Sequence, residues 1–409
     1  MIVSDLFSTF PSHSLFEKVD TKMPAKKSSA QGPAIKEKAF VEEGLNEQKK
    51  IVKIVDLFAG IGGFHYGIAA AAARLSHSVK TLLVSEIESS CQEIYSRNHK
   101  VEVHGDINLI NLNDFSGTAD IVTAGFPCQP FSNSGKKLGL SDPRGQFYFR
   151  IEEFIQHFSA KSFILENVPG IRKNGGGQHK SRLSLGDQVI GNTMQHLEEN
   201  LLNLHDYSIR WIEINSSELG SPQVRKRVYI MGVHRDFLSG KEYEFNPKRY
   251  QLHTFNDIVD KQVPSSLTLS KTQEGNLRSF MKFAPSYKDG MRRIGQAYLC
   301  EGGNVGQGYH AHGMVPTLTK VWARFLPIYF PGPNESIPRV NIRDFSPDNF
   351  YGEGTIRRAS VREAMRLQGF PDSFNPHSRD QIAYEHAGNA VNAKVIREIS
   401  ENLLRYIQS

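Results

Sequence analysis

The stretch that decides the fold runs Ile51-Val52-Lys53-Ile54-Val55-Asp56-Leu57-Phe58-Ala59-Gly60-Ile61-Gly62-Gly63-Phe64. Four of its first five residues are β-branched, a composition that favours a short strand. Ala59 to Gly63 then form a glycine-rich turn, and an alanine-rich stretch to about Ser76 reads as a helix. A strand that feeds a glycine loop and then a helix lets a ligand approach the backbone closely. The first N–H groups of the helix are unpaired there. The dinucleotide pattern G-x-G-x-x-G needs a small residue five positions after Gly60. His65 stands there, so that pattern fails.

Outward from this turn the same rhythm repeats. Thr81 to Ser85 reads as a second strand, followed by a helix from about Ser89 to Asn98. Ile121 to Ala124, Ser162 to Leu165, Trp211 to Ile214 and Val228 to Val233 are further strand candidates. Apolar runs that alternate with helical periods predict an α/β fold built on a mostly parallel, doubly wound sheet. After about Val233 the rhythm breaks, and residues 240 to 355 carry scattered Gly, Pro and aromatic residues. A second, smaller and irregular domain is expected there. A helical pattern returns from Ser360 to Gly369, and Ala390 to Ile407 reads as a closing helix. At the other end, Lys22 to Lys38 is rich in Lys, Ala, Ser and Pro and has no apolar period. The expected division is a flexible N-terminal extension over 1–50, a catalytic domain over 51–239, a recognition domain over 240–380, and a segment over 381–409 that returns to the catalytic domain.

At 409 residues the chain has room for two domains, and its 39% hydrophobic content is that of a soluble globular protein. No run is apolar for long enough to cross a bilayer, so no membrane is expected as a partner. The start, MIVSDLFSTF, lacks a basic region followed by an apolar core, and a cytoplasmic location is expected. A formal net charge of +6 suits a polyanionic partner without establishing one. Cys91, Cys128 and Cys300 are far apart and form no C-x-x-C pair, which argues against a disulfide framework and a zinc site; no metal is expected.

Carboxylates and a thiol then fall at the places where such a sheet collects ligands, the C-terminal ends of its strands. Glu86 ends the second strand, where an acid can bind both hydroxyls of a ribose. Asp106 follows the extended Val101–Gly105 segment, where an acid can reach an adenine amino group. With the glycine turn they make a nucleoside site. The strongest local signal is Gly125-Phe126-Pro127-Cys128-Gln129-Pro130-Phe131-Ser132. Proline on both sides stiffens the loop, so Cys128 is presented rather than packed, and a thiolate is a strong nucleophile. Phe163-Ile164-Leu165-Glu166-Asn167-Val168 puts a carboxyl at the end of an apolar strand. Apolar surroundings raise a carboxyl pKa and suit Glu166 to proton donation. In Gln223-Val224-Arg225-Lys226-Arg227 the two arginines alternate, so they can share a face.

Taken in order, these elements resemble the cytosine-C5 DNA methyltransferases of bacterial restriction–modification type, from Ile54 to the C-terminus. DLFAGIGGF resembles the family's S-adenosylmethionine loop, GFPCQPFS its nucleophile loop, ENV the element with its catalytic glutamate, and QVRKR its Q-x-R-x-R element. SVREAMRLQGFPDSF resembles the element after the recognition region, and GNAVNAKV the final motif that returns to the cofactor. The resemblance implies a Rossmann-like S-adenosylmethionine domain beside a smaller target-recognition domain, with double-stranded DNA between them. It implies Cys128, Glu166, Arg225 and Arg227 as catalytic residues. Phe58, Gly60, Ile61, Gly62, Gly63, Glu86, Ile87, Asp106, Ile107, Pro127, Phe147, Asn389 and Ala390 fall at cofactor-binding positions. Ile87 and Ala390 depart from the residues often found at theirs. Gln129, Ser132, Lys136, Lys137, Arg144 and Thr317 are expected to bind DNA, with Asp142 to Gly145 ending a mobile loop. Arg150, Arg172, Lys173, Lys180 and Arg182 extend a basic region that suits phosphates. Arg278, Arg292, Arg293, Lys320 and Arg324, and the loop around Asn304 and Gln307, are candidates for reading guanine edges. Monomeric action, and a cognate restriction endonuclease acting on the same site, are further expectations.

Three rival readings fare worse. A tRNA cytosine-C5 methyltransferase shares PCQ, ENV and the cofactor loop, but its usual Cys-Phe-Thr tripeptide is absent here. An NAD-dependent oxidoreductase is disfavoured by His65 and leaves PCQ and QVRKR unexplained. A catalytically dead DNA-binding protein has no use for Cys128, Glu166 and Arg227 together.

Overall fold

In chain order the structure begins with β1 (Ile51–Leu57), α1 (Gly63–Arg74), β2 (Ser78–Ser85), α2 (Ser89–His99) and β3 (Ile121–Ala124). It continues with α3 (Phe147–His157), β4 (Ser162–Asn167), the short strands β5 (His179–Lys180) and β6 (Val189–Ile190), and α4 (Asn192–Leu201). Then come β7 (Tyr207–Asn215), β8 (Gln223–Val224), β9 (Lys226–His234), β10 (Val315–Pro316), β11 (Pro327–Phe330) and β12 (Thr355–Arg358). The last helices are α5 (Val361–Leu367), α6 (Asp380–Asn389) and α7 (Ala393–Ile407). The structure is a computed structural model, and it describes residues 50–126, 147–248, 250, 253, 255–260, 263–268, 315–320, 327–330 and 355–408.

Six strands form the central sheet in the order β2-β1-β3-β4-β9-β7. The first four run parallel, and β9 lies antiparallel to both β4 and β7. From β1 the chain crosses to β2 on one side and later to β3 on the other. Next to β1 the strand order therefore reverses, which opens a crevice at the C-terminal edge of the parallel strands.

Period-two alternation sorts the strand residues between two apolar layers. Val55, Leu57, Val122, Phe163 and Leu165 face one layer, which α3 and α4 cover with Tyr148, Ile151, Phe154, Met194 and Leu197. Val52, Ile54, Ile121 and Ile164 face the other, covered by Phe64 and Ile68 of α1 and by Ile396, Ile399 and Leu403 of α7. Each such side chain contributes about 1.5–3 kcal/mol relative to exposure. The closing helix thus lies on the first one. It starts at Asn392, whose side chain accepts hydrogen bonds from the Lys394 and Val395 amides.

A third apolar cluster joins distant stretches of chain. Phe255, Val315, Leu318, Met365, Phe370, Phe374 and Tyr384 pack with Ile61 of the glycine turn and Ile94 of α2. No break in packing falls at residue 380, because α5 and α6 share this cluster. The start of α5 is fixed by a capping box: Ser360 accepts from the Glu363 amide, and Glu363 accepts from the Ser360 amide. Glu363 is fully buried and is paired with Arg357 at 2.7 Å. No helix among the described residues is long and apolar enough to cross a membrane.

Candidate active site

At the edge of the crevice, β1 ends in a turn that only an unusual backbone makes. Phe58 has φ +53°, Gly60 +54° and Gly62 +92°. A Cβ on Gly62 would fall 2.4 Å from Nε2 of His99, so this position tolerates glycine alone. Glu86 follows β2 and receives the Gly60 amide at 2.7 Å and the Glu88 amide at 2.8 Å. Burial raises its pKa, and these backbone donors hold it down. Beside it Ile87 is 73% exposed, which leaves its aliphatic side chain open to a ligand. Asp106 accepts from the Asn108 amide at 2.9 Å and caps the 3-10 turn Ile107–Leu109, with Ile107 itself buried. The Phe147 ring stands edge-on to Phe58, with ring centres 5.2 Å apart. A carboxylate near a bare aliphatic side chain and a glycine turn suits the ribose and one face of the base of a nucleoside, so these residues fit such a cofactor.

A cavity of about 440 Å³ opens where β3 and β4 end. Gly125, Phe126, Glu166, Asn167 and Val168 form one wall, and Arg225 and Arg227 another. The segment Leu318–Lys320 and the end of α6, Gly388 and Asn389, complete it. Glu166 was expected in apolar surroundings. It is buried, but its Oε1 lies 2.9 Å from Nε of Arg227. Arg227 also donates to its neighbour's carbonyl, Lys226 O, at 2.8 Å.

Both arginines reach the cavity wall, yet their guanidinium groups do different work. Arg225 is 3% exposed and donates to the carbonyls of Leu318 at 2.9 Å, Gly388 at 3.3 Å and Ala390 at 2.9 Å. Its pKa falls to about 9, first because burial disfavours the cation and then because Arg227 lies close. Gln223 donates to Leu367 O at 3.2 Å and accepts from the Leu318 amide at 3.1 Å. β8 and β10 add a short parallel pairing. Together they pin residues 315–318 to the sheet and to the start of the last segment. Gly388 allows this approach, since a Cβ there would come within 2.3 Å of the Thr319 backbone.

Asn167, the middle residue of ENV, also lines the cavity. Its amide donates to Phe126 O at 3.2 Å and anchors the chain just before the proline-flanked loop. Asp56, passed over in the sequence, is completely buried and accepts from Tyr95 and Thr123. Cys128, Pro127, Gln129, Ser132, Lys136, Lys137, Arg144, Arg278, Arg292, Arg293, Asn304, Gln307 and Arg324 lie outside the described residues. Thr317, expected at DNA, donates its hydroxyl hydrogen to Val224 O at 2.7 Å. Arg150 donates to Ile107 O at 3.1 Å and also to Ile110 O, and Arg172 bonds Gln188 at 2.6 Å. Lys173 and Arg182 remain exposed. Lys320 pairs with Glu385 of α6 at 3.3 Å.

The fold is an α/β sheet with a crevice at the C-terminal edge of its parallel strands, and a carboxylate–guanidinium pair lines the cavity there. The family model described as C-5 cytosine-specific DNA methylase matches residues 52–405. The chain is 30% identical over 368 residues to the type II methyltransferase M1.ScrFI of Lactococcus lactis subsp. cremoris, covering 89% of this chain and 80% of that one. It is also 30% identical over 379 residues to the type II methyltransferase M.HpaII of Haemophilus parainfluenzae, covering 91% and 94%. Among solved structures it resembles the Entamoeba histolytica methyltransferase EhMeth, with a TM-score of 0.62 at 18% identity over 87% of this chain and 99% of that one, a likeness of fold. The chain belongs to the C-5 cytosine-specific DNA methylase family and is a DNA (cytosine-5-)-methyltransferase.

Proposed function

We propose that the chain is the modification enzyme of a restriction–modification pair. It methylates C5 of one cytosine within a short sequence of double-stranded DNA, and S-adenosylmethionine supplies the methyl group. The observation that carries this reading is the Glu166–Arg227 pair at 2.9 Å in the wall of a cavity beside the Gly125–Phe126 approach to Cys128. A stacked cytosine cannot reach that cavity, so the base must be flipped out, at roughly a few kcal/mol.

Inside the cavity Glu166 hydrogen-bonds N3 and the exocyclic amine and delivers a proton to N3. Arg227 holds O2 and stabilises the negative charge that develops there. The Cys128 thiolate bonds to C6, the C5–C6 double bond opens, and C5 becomes nucleophilic enough to take the methyl group. Loss of the C5 proton to a base and expulsion of the thiolate from C6 restore the ring. Arg225 holds the cavity walls together through carbonyls and does not touch the base. On the cofactor side, Glu86 would hold the ribose hydroxyls and Asp106 the adenine amine, with Ile87 and Phe58 as their apolar neighbours in the binding of S-adenosylmethionine. Residues 240–380 read the target, and the enzyme acts as a cytoplasmic monomer beside an endonuclease that cuts the same sequence.

Expression in cells without cytosine methylation, followed by bisulfite sequencing, tests this. Protected cytosines within one sequence are expected, and none with Cys128→Ser. An absence of protected cytosines from a soluble, cofactor-binding protein sinks the reading and redirects the search to RNA.

A further inference from the structure

Beneath the glycine turn lies a chain of polar side chains with no part in the chemistry above. Asp56, near the end of β1, is 0% exposed. Its Oδ1 accepts from Thr123 of β3 at 2.8 Å, and its Oδ2 accepts from the Tyr95 hydroxyl of α2 at 3.0 Å. The same hydroxyl lies 3.1 Å from Nδ1 of His65 on α1. The His65 ring stacks on His99, with centres 3.8 Å apart and planes at 23°. Nε2 of His99 in turn fills the space beside Gly62. Four elements of the cofactor half thus meet in one chain, running from a buried carboxyl to the underside of the turn.

Hydrogen counting fixes the direction of this chain. The Tyr95 hydroxyl has one hydrogen and two partners. With Asp56 ionised, Tyr95 donates to Asp56, so its oxygen accepts from His65 Nδ1–H, and His65 Nε2 is bare. With Asp56 protonated, Asp56 donates to Tyr95, Tyr95 donates to a bare His65 Nδ1, and the imidazole hydrogen sits on Nε2. The two states differ by one proton. A proton added at His65 Nε2 moves the Nδ1 hydrogen to Tyr95 and the Tyr95 hydrogen to Asp56. That route reaches a carboxyl that solvent does not touch.

We propose that Asp56, Tyr95 and His65 are positioning residues for the cofactor turn, forming a reversible proton wire whose direction is linked to binding of the cationic cofactor. This rests on the reading of S-adenosylmethionine as that cofactor. Its sulfonium charge favours the state in which Asp56 is an anion, so binding expels the proton. The groups facing the chain are Glu86 beyond β2, Tyr95 and His99 on α2, His65 and Tyr66 on α1, and Thr123 on β3. Burial lifts Asp56 to about 7, against the pull of the Thr123 and Tyr95 hydrogen bonds, with the Glu86 charge adding to the rise. Burial lowers His65 to about 4 and His99 to about 3, which keeps both rings neutral, as the wire requires.

Calorimetry on the full chain, from about pH 5.5 to about pH 8.5, tests the linkage with S-adenosylmethionine and with the uncharged thioether S-adenosylhomocysteine. Affinity for the sulfonium compound is expected to rise about tenfold through neutrality, with little change for the thioether. Asp56→Asn, whose amide donates to Tyr95 and accepts from Thr123, holds the wire in its protonated direction, and its profile should be flat. Tyr95→Phe removes a bond that holds the carboxylate pKa down, so its transition should move above neutrality. Unchanged profiles in both variants assign the pH dependence to Glu86 and overturn the proposal, as do equal profiles for the two ligands. Nitrogen NMR of the ligand-free chain, with His65→Gln for assignment, reads the wire itself. The His65 tautomer should reverse through neutrality in the wild type and not in Asp56→Asn; a single tautomer throughout overturns the wire. A chain that binds neither ligand at any pH overturns the cofactor reading and with it the linkage, and the tautomer measurement still decides whether the wire exists.

Discussion

Glu166 and Arg227 come from neighbouring antiparallel strands, and Nε of Arg227 meets Oε1 of Glu166 at 2.9 Å. One carboxylate oxygen is therefore held by the arginine in the cavity wall. Glu166→Gln keeps the shape and removes the proton donor. Turnover should fall by roughly 10²–10⁴, with cofactor affinity unchanged. Single-turnover kinetics alongside cofactor titration checks this, and a variant that loses only DNA affinity removes Glu166 from the proton-transfer role.

Arg225 should behave as a structural residue in unfolding experiments. Arg225→Met leaves the carbonyls of Leu318, Gly388 and Ala390 without their buried donor. The expected loss is about 2–5 kcal/mol. Arg225→Lys should recover little of it, because an ammonium lacks the planar fork that spans these carbonyls. Urea unfolding gives the answer, and wild-type stability in Arg225→Met contradicts the assignment.

Asp56 gives a pH-dependent prediction with a definite sign. Its folded-state pKa of about 7 lies above its ordinary value of 3.8. Below about pH 4 the group is neutral whether the chain is folded or not, and it costs nothing. As pH rises toward 7 the unfolded chain ionises first, so the folded state loses stability, and above 7 the loss levels off at about 4 kcal/mol. Asp56→Asn should therefore gain on the wild type between about pH 4 and 7, and the difference should then stay constant. Denaturation across this range that shows a constant difference throughout contradicts the assignment.

DNA affinity should fall steeply with salt. Arg150 and Arg172 are engaged with protein groups, whereas Lys173 and Arg182 are exposed. Replacing either exposed residue with alanine should reduce the slope of log affinity against log salt by about 0.9 if it meets one phosphate. Arg150→Ala should change stability more than the slope. Fluorescence titration at several salt concentrations separates these outcomes.

The sheet was legible because its signals are local. Ile51 to Val55 proved to be the core of β1, and Ile121 to Ala124 matches β3 residue for residue. The helix expected from about Ser89 to Asn98 ends one residue later, at His99. Helix α3 went unread because its Phe and Tyr residues favour strands, although Tyr148, Ile151, Phe154 and Ile155 share one face. The role of Arg225 was out of reach for another reason. Alternation suggests that it accompanies Arg227, but its partners Leu318, Gly388 and Ala390 lie at least 93 residues away in sequence. Asp56 was passed over in the same way: nothing in a strand reveals that a tyrosine 39 residues on will close over it.

The packing of α7 on α1 carries a consequence for synthesis. Ribosomes release a chain from its N-terminus, at roughly 5–20 residues per second. The cofactor turn emerges early, but one apolar flank of its helix waits for Ile396, Ile399 and Leu403, and the Arg225 clamp waits for the carbonyl of Ala390. A nascent chain thus holds Cys128 and Glu166 long before the cavity wall that Gly388 and Asn389 complete. Premature release, by a stop codon or a protease, should therefore leave α1 without one apolar flank and Arg225 without the Ala390 carbonyl.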